Sequence, residues 1–225
     1  MTLFAKIAAP FAFAVTASVA GAATVSEFID LTGSGGLGTS YTYVAPSGDL
    51  SVTATGHYLN GDGSIGAAAL IGQYSNGLGV TTGGTSSSSS GHHSGGSHHH
   101  SHYSGCGHYS SSTDDSHQVD SFGDDEVVQF AFDSAVSIST IYFNYVGIYD
   151  DFSFSVISTG GSVMSFNGNL DILGAGYGSY TFTGPLPVAS IFGIGAAGYG
   201  DAFKIAALDV LWEDEVTPAV PLPAS

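Results

Sequence analysis

Arginine is absent from this 225-residue chain, and lysine occurs only at Lys6 and Lys204. Set against 19 acidic residues, this leaves a formal charge of −17. A nucleic-acid surface works by replacing phosphate counterions with Lys and Arg, so a nucleic-acid partner is excluded. A polybasic patch for anionic lipid is excluded for the same reason. Charged residues make up only 9% of the chain, against a usual share of about 25%. The strong helix formers Lys, Arg, Glu and Gln are therefore scarce, which disfavours a helical fold. The single cysteine, Cys106, has no partner for an internal disulfide. A chain of this length must then rely on a hydrophobic core. The apolar runs at 191–200 and 205–212 are too short to span a bilayer, which takes about 20 residues.

Apolar residues are plentiful. They account for 43% of the chain, with 12% aromatic, which argues against disorder throughout. Residues 1–23 have the order of a secretory signal. Lys6 precedes an uncharged run from Ile7 to Val19, and Ala20-Gly21-Ala22 supplies small residues for cleavage after Ala22 or Ala23. From residue 24 to 81, short alternating stretches such as Leu50-Ser51-Val52-Thr53-Ala54-Thr55 read as half-buried strands. Glycine-rich punctuation at 33–38 and 61–66 separates them. Residues 82–116 are almost entirely Ser, Gly, His and Thr and contain no aliphatic side chain. Such a segment buries too little to offset its ordering entropy, and reads as a long disordered loop.

Alternation returns over 117–215. Val128, Phe130 and Phe132 share a face, as do Val136 and Ile138. Phe152, Phe154 and Val156 follow, then Tyr180 and Phe182, then Phe203, Ile205 and Ala207. Turn signals stand at Asp133-Ser134, Asp150-Asp151, Thr159-Gly160-Gly161, Asn167-Gly168-Asn169 and 198–201. Many short strands without interleaved helices predict an all-β fold, an antiparallel β-sandwich of jelly-roll-like character. Residues 216–225 form a proline-punctuated tail that can be neither helix nor central strand.

Within that tail, Val220-Pro221-Leu222-Pro223-Ala224 resembles the opening of the VPLPA variant of the PEP-CTERM sorting signal. A second likeness lies upstream. Gly77-Leu78-Gly79-Val80-Thr81, then His117-Gln118-Val119-Asp120, then the strand from Glu126 to Phe132 are similar to a recurring ectodomain of PEP-CTERM proteins. Phe203-Lys204-Ile205-Ala206 resembles its closing strand. The resemblance spans about 50–212, and this chain departs from it by inserting 82–116 between the first two pieces. It implies a secreted protein of a Gram-negative bacterium, held at the cell surface or outer envelope and handled by export and exosortase-type sorting machinery. It supplies no activity.

Two groups of side chains carry ligand chemistry. His92, His93, His98, His99, His100, His102, Cys106 and His108 lie in the insert. Imidazole and thiolate suit Zn²⁺, Cu²⁺ or Ni²⁺, although no fixed Cys-x-x-Cys spacing marks a structural zinc site. Asp114, Asp115, Asp120, Asp124, Asp125 and Glu126 crowd beside a strand start. Their hard oxygens suit Ca²⁺, with Asp150 and Asp151 as further candidates, but the EF-hand order is missing.

Catalysis finds no motif. Gly-x-Ser-x-Gly is absent, so no serine nucleophile elbow is indicated. The Gly33-x-Gly35-x-x-Gly38 and Gly193-x-Gly195-x-x-Gly198 matches arise in a chain with 33 glycines, and neither opens a predicted helix. Cys106 lacks a fixed base. Tyr103, Tyr109, Tyr145, Tyr149 and Tyr177 are candidates for stacking on sugars. The sequence therefore predicts a non-enzymatic surface or matrix protein, associated with exopolysaccharide, biofilm or adhesion. The alternatives are a secreted carbohydrate- or divalent-metal-binding module and, behind these, a glycan hydrolase.

Overall fold

Period-two patterning accounts for most of the strands. The computed structural model describes residues 23–82, 117–121, 124–196, 198 and 200–214. The strands are β1 (Ala23–Asp30), β2 (Gly36–Gly38), β3 (Tyr41–Val44), β4 (Ser51–Leu59), β5 (Ile65–Tyr74), β6 (Gly77–Thr81), β7 (Val119–Asp120), β8 (Glu126–Val146), β9 (Asp151–Ile157), β10 (Val163–Asp171), β11 (Leu173–Thr181), β12 (Ala189–Gly195) and β13 (Ala202–Asp214). No helix occurs among the described residues. The pairings are antiparallel throughout.

The architecture turns on β8. Its first part, up to Phe132, lies between β4 and β12. Its second part, from Val136, lies between β13 and β11. One layer continues from β12 to β9 and β10, and from β4 to β5 and β6. The other continues from β13 to β1. A bridge between Ile205 and Leu78 joins β13 to β6, so the hydrogen-bonded path returns to β8. The chain forms the antiparallel β-sandwich that its alternation predicts, with the layers joined through β8 and the β6–β13 seam.

Asp133-Ser134 is not a turn: β8 runs straight through it. The pair marks the place where β8 leaves one layer for the other. The Asp133 carboxylate accepts hydrogen bonds from the Ser51 amide (3.1 Å) and hydroxyl (2.7 Å). Asn167-Gly168-Asn169 is likewise a bulge inside β10, with Asn169 at φ 86°. Turns do follow Val146 and Ile157 and precede Ala202.

The predicted inward residues are buried, from Val128, Phe130 and Phe132 to Phe203, Ile205 and Ala207. Tyr180 and Phe182 pack half-buried against them. The Phe143 ring centroid lies 5.1 Å from those of both Phe152 and Phe203, which stitches β8 to β9 and β13. Burying an aromatic of this size stabilises the fold by roughly 1.5–3 kcal/mol. β9 departs from simple alternation, because Ser153 and Ser155 are buried as well. Their hydroxyls donate to the carbonyls of Gly195 and Gly63, each at 3.0 Å, so the second face is covered without an unsatisfied group.

Candidate functional site

Three segments far apart in sequence meet at one place: Gly77–Val80, His117–Asp120 and Phe203–Ala206. The Val80 amide donates to the Gln118 carbonyl at 3.0 Å. Thr81 Oγ1 lies 3.2 Å from His117 Nδ1. Val119 and Asp120 pair with Phe203 and Ala202. Glycine is needed at two points. Gly77 has φ 121°, and a Cβ there would stand 2.5 Å from the Ile205 carbonyl oxygen. At Gly79 a Cβ would collide with the His117 carbonyl. Glu126 ties the pieces together. This carboxylate, 1% exposed, accepts the Thr82 amide at 3.0 Å and the Asp120 amide at 3.1 Å. The segments that bracket the insert are thus held side by side.

Beside this junction opens a cleft of about 620 Å³. Tyr74, Tyr145 and His117 supply rings, and Gln73, Asn76 and Gln118 supply amides. Ser34 and Ser75 add hydroxyls, and Lys204 adds the cation. Lys204 is 6% exposed. Its Nζ sits 3.8 Å from the Tyr74 ring centroid and 5.9 Å from that of Tyr145. Burial pushes the Lys204 ammonium down to about 8. The His117 ring stacks on Tyr74 with centroids 5.2 Å apart. Gln73 is fixed by donating to the Thr32 carbonyl (3.2 Å) and the Tyr43 hydroxyl (3.1 Å). Burial pushes that hydroxyl's proton affinity up. Asn76 accepts at its carbonyl from the Asn144 side chain (2.7 Å). Its buried Oδ1 has no donor among the described residues. His117 and Tyr145 carry φ values of 51° and 60°, backbone strain of a kind that gathers at functional sites.

The carboxylates are organised differently. Asp120 is buried and Asp124 exposed. The Asp125 carboxyl is pushed up, first by burial and then by the charges of Asp124 and Asp201. Asp201, which the sequence did not single out, is the centre of this group. Its Oδ1 accepts the Asp151 amide (3.1 Å) and its Oδ2 the Gly198 amide (2.7 Å). Asp150 accepts the Gly147 amide at 2.7 Å. Burial raises Asp150, followed by the charge of Asp201 against its backbone hydrogen bonds. Burial also raises Asp151, together with a hydrogen bond to Asp171, its partner across the strand pair. Among the described residues no three or more His, Cys, Asp or Glu side chains are placed to hold a metal ion.

Asp114 and Asp115 lie outside the described residues, as do His92, His93, His98, His99, His100, His102, Cys106 and His108. So do Tyr103, Tyr109, Val220–Ala224 and all but the last residue of the signal segment 1–23. Of the remaining tyrosines, Tyr145 lines the cleft, while Tyr149 and Tyr177 are exposed elsewhere. The two Gly-x-Gly-x-x-Gly matches fall on strands and loops, and neither opens a helix. Sequence reasoning missed Tyr74, Asn76 and the role of Lys204. A signal was present in Lys204, a lone cation inside the apolar stretch Phe203–Ala207. No family model matches this chain, and no curated protein or solved structure matches it.

Proposed function

We propose that this is a non-enzymatic, exported protein of the bacterial cell surface or extracellular matrix that binds glycan in the Tyr74–Lys204 cleft. The signal-like leader and the likeness to PEP-CTERM ectodomains and their VPLPA tail support the location. The cleft carries the reading of function. It combines aromatic rings for sugar stacking with side-chain amides and hydroxyls that hydrogen-bond sugar hydroxyls. Its volume falls within the roughly 300–1,000 Å³ typical of small-ligand sites. Exopolysaccharide is the partner that suits this lining.

A glycan array followed by titration calorimetry tests the reading. Binding of one oligosaccharide class is expected, weakened at least tenfold in Y145A, with no release of reducing ends on prolonged incubation. Tyr145 is 57% exposed, so its truncation leaves the core intact. Absence of any glycan ligand would remove the function proposed, and reducing-end release would replace it with a hydrolase.

A further inference from the structure

We infer that the cleft selects an acidic sugar, a hexuronate residue of a polysaccharide, whose carboxylate is held by Lys204 Nζ beside the ring of Tyr74. This rests on the glycan reading and adds its charge selectivity. The first argument is a missing counter-ion. Lysine is almost never buried unless paired, yet Lys204 is buried and forms no ion pair with a carboxylate among the described residues. This is so in a chain with 19 acidic residues. Burial is the cause of its lowered proton affinity, and no acidic neighbour offsets it. An apolar residue would suit the Phe203–Ala207 stretch at lower cost. A buried ammonium kept at a cleft wall is the complement of an anion that arrives with the ligand.

The second argument is shape. Tyr74 at the end of β5 and Tyr145 at the end of β8 present their rings to Lys204 Nζ. His117, before β7, and Asn76, between β5 and β6, line the same cleft. None of these side chains is a carboxylate. Asp120 lies on β7, which pairs with β13 at Ala202, and forms no ion pair with Lys204 among the described residues. His117 and Tyr145, which both line the cleft, hold positive φ, so the chain accepts backbone strain where these two rings stand. An aromatic-flanked cation binds a carboxylated sugar through two contacts at once, the sugar's C–H face on a ring and a charge-assisted hydrogen bond to its carboxylate. A neutral sugar gains only the first. A polyanion approaching a molecule of net charge −17 is otherwise repelled, so local recognition must overcome the field.

The test titrates the full chain with trigalacturonate and with its carboxyl-reduced neutral counterpart at fixed ionic strength, from pH 6.5 to 9.5. At pH 7 the acidic trisaccharide should bind at least tenfold more tightly. Its affinity should fall as the pH rises through about 8, where Lys204 loses its proton, while the neutral ligand shows no such fall. Near pH 8, binding should take up a fraction of a proton, visible as a buffer-dependent enthalpy. K204M, similar in volume, should bind both ligands alike. The wild-type pH profile gives the answer even if that variant misfolds. Acetate at the same ionic strength should compete only at far higher concentration, which separates a sugar site from a general carboxylate site. Equal affinity for both trisaccharides without pH dependence overturns the charge selectivity and leaves the glycan reading standing. Failure of both ligands, with an empty glycan array, overturns the two together.

Discussion

Lys204 and Asp201 are near neighbours in sequence, yet the protein uses their charges in opposite ways. Asp201 spends its carboxylate on the amides of Asp151 and Gly198. Asp150 spends one oxygen on Gly147, and Glu126 spends both of its own on Thr82 and Asp120. These acids close loops. Lys204 closes nothing: its ammonium meets aromatic faces at the wall of a cleft. A dense set of like charges in sequence is thus a poor guide to a ligand site, because backbone donors can consume it. The proposed site rests instead on a single charge of the rarer sign, buried and without a counter-ion among the described residues. Of the Ca²⁺ candidates, Glu126 has its carboxylate taken up by backbone amides; no group of three or more metal-ligating side chains assembles among the described residues, and Asp114 and Asp115 lie outside them.

The comparison is easiest to break at Glu126. E126A strands two backbone amides beneath the junction and should cost about 3–5 kcal/mol in urea unfolding. E126Q keeps one of the two acceptor oxygens and should cost about half as much. A loss below about 1 kcal/mol in E126A would mean that the carboxylate is not used up and is free for a cation. G79A comes next. Its methyl meets the His117 backbone, so it should cost about 1–3 kcal/mol and weaken glycan binding by shifting the wall that carries His117 and Gln118.

K204M should act in the opposite sense, gaining on the order of 1 kcal/mol at pH 7. The relief of a buried charge outweighs the lost contact with Tyr74. The pH dependence has a definite sign. The folded value of about 8 lies below the ordinary 10.5. Below about pH 8 both states hold the proton and the burial penalty is complete. Above it the unfolded chain holds more protons, so wild-type stability should climb from about pH 8 until the unfolded lysine also loses its proton near the ordinary 10.5. K204M should be flat over that interval, and a parallel rise in both proteins would remove Lys204 as the cause.

The smallest effect is expected at Asp171, which faces Asp151 across β9 and β10. D171N should gain roughly 0.2–1 kcal/mol by removing a cross-strand like-charge pair. Folded Asp125, Asp150 and Asp151 hold their protons more tightly than the unfolded chain does. Stability from these groups is therefore lost as pH rises above about 4 and regained on acidification. Thermal melts at pH 7 and pH 5 should show a smaller acid-side gain in D171N than in wild type.

Much of the fold was legible because strand formation is a local property. Phe130, Ile138, Phe154 and Ile205 each sit where period-two alternation puts them. The failures were local patterns with two physical outcomes. Asp133-Ser134 has turn chemistry, but with Ser51 as partner it stays within a continuous strand instead of reversing it. Asn167-Gly168-Asn169 tolerates positive φ equally well in a bulge or a turn. Ser153 and Ser155 alternate with the inward phenylalanines of β9, yet they too are buried, their hydroxyls bonded to the carbonyls of Gly195 and Gly63. The site was legible in fragments. Tyr145 was among the stacking candidates, and the junction motifs were recognised, but nothing in sequence brought Tyr74 or Asn76 to them.

The sequence by itself determined the all-β class, the inward residues of the central strands and the near-absence of positive charge, since each follows from composition or from the two-residue repeat of an extended chain. Only the tertiary structure decided which acids were already bonded to amides and which rings surrounded the lysine. Those outcomes depend on strand register and on the clearance that Gly77 and Gly79 leave for opposing backbone, and contacts between such distant residues leave no trace in local pattern.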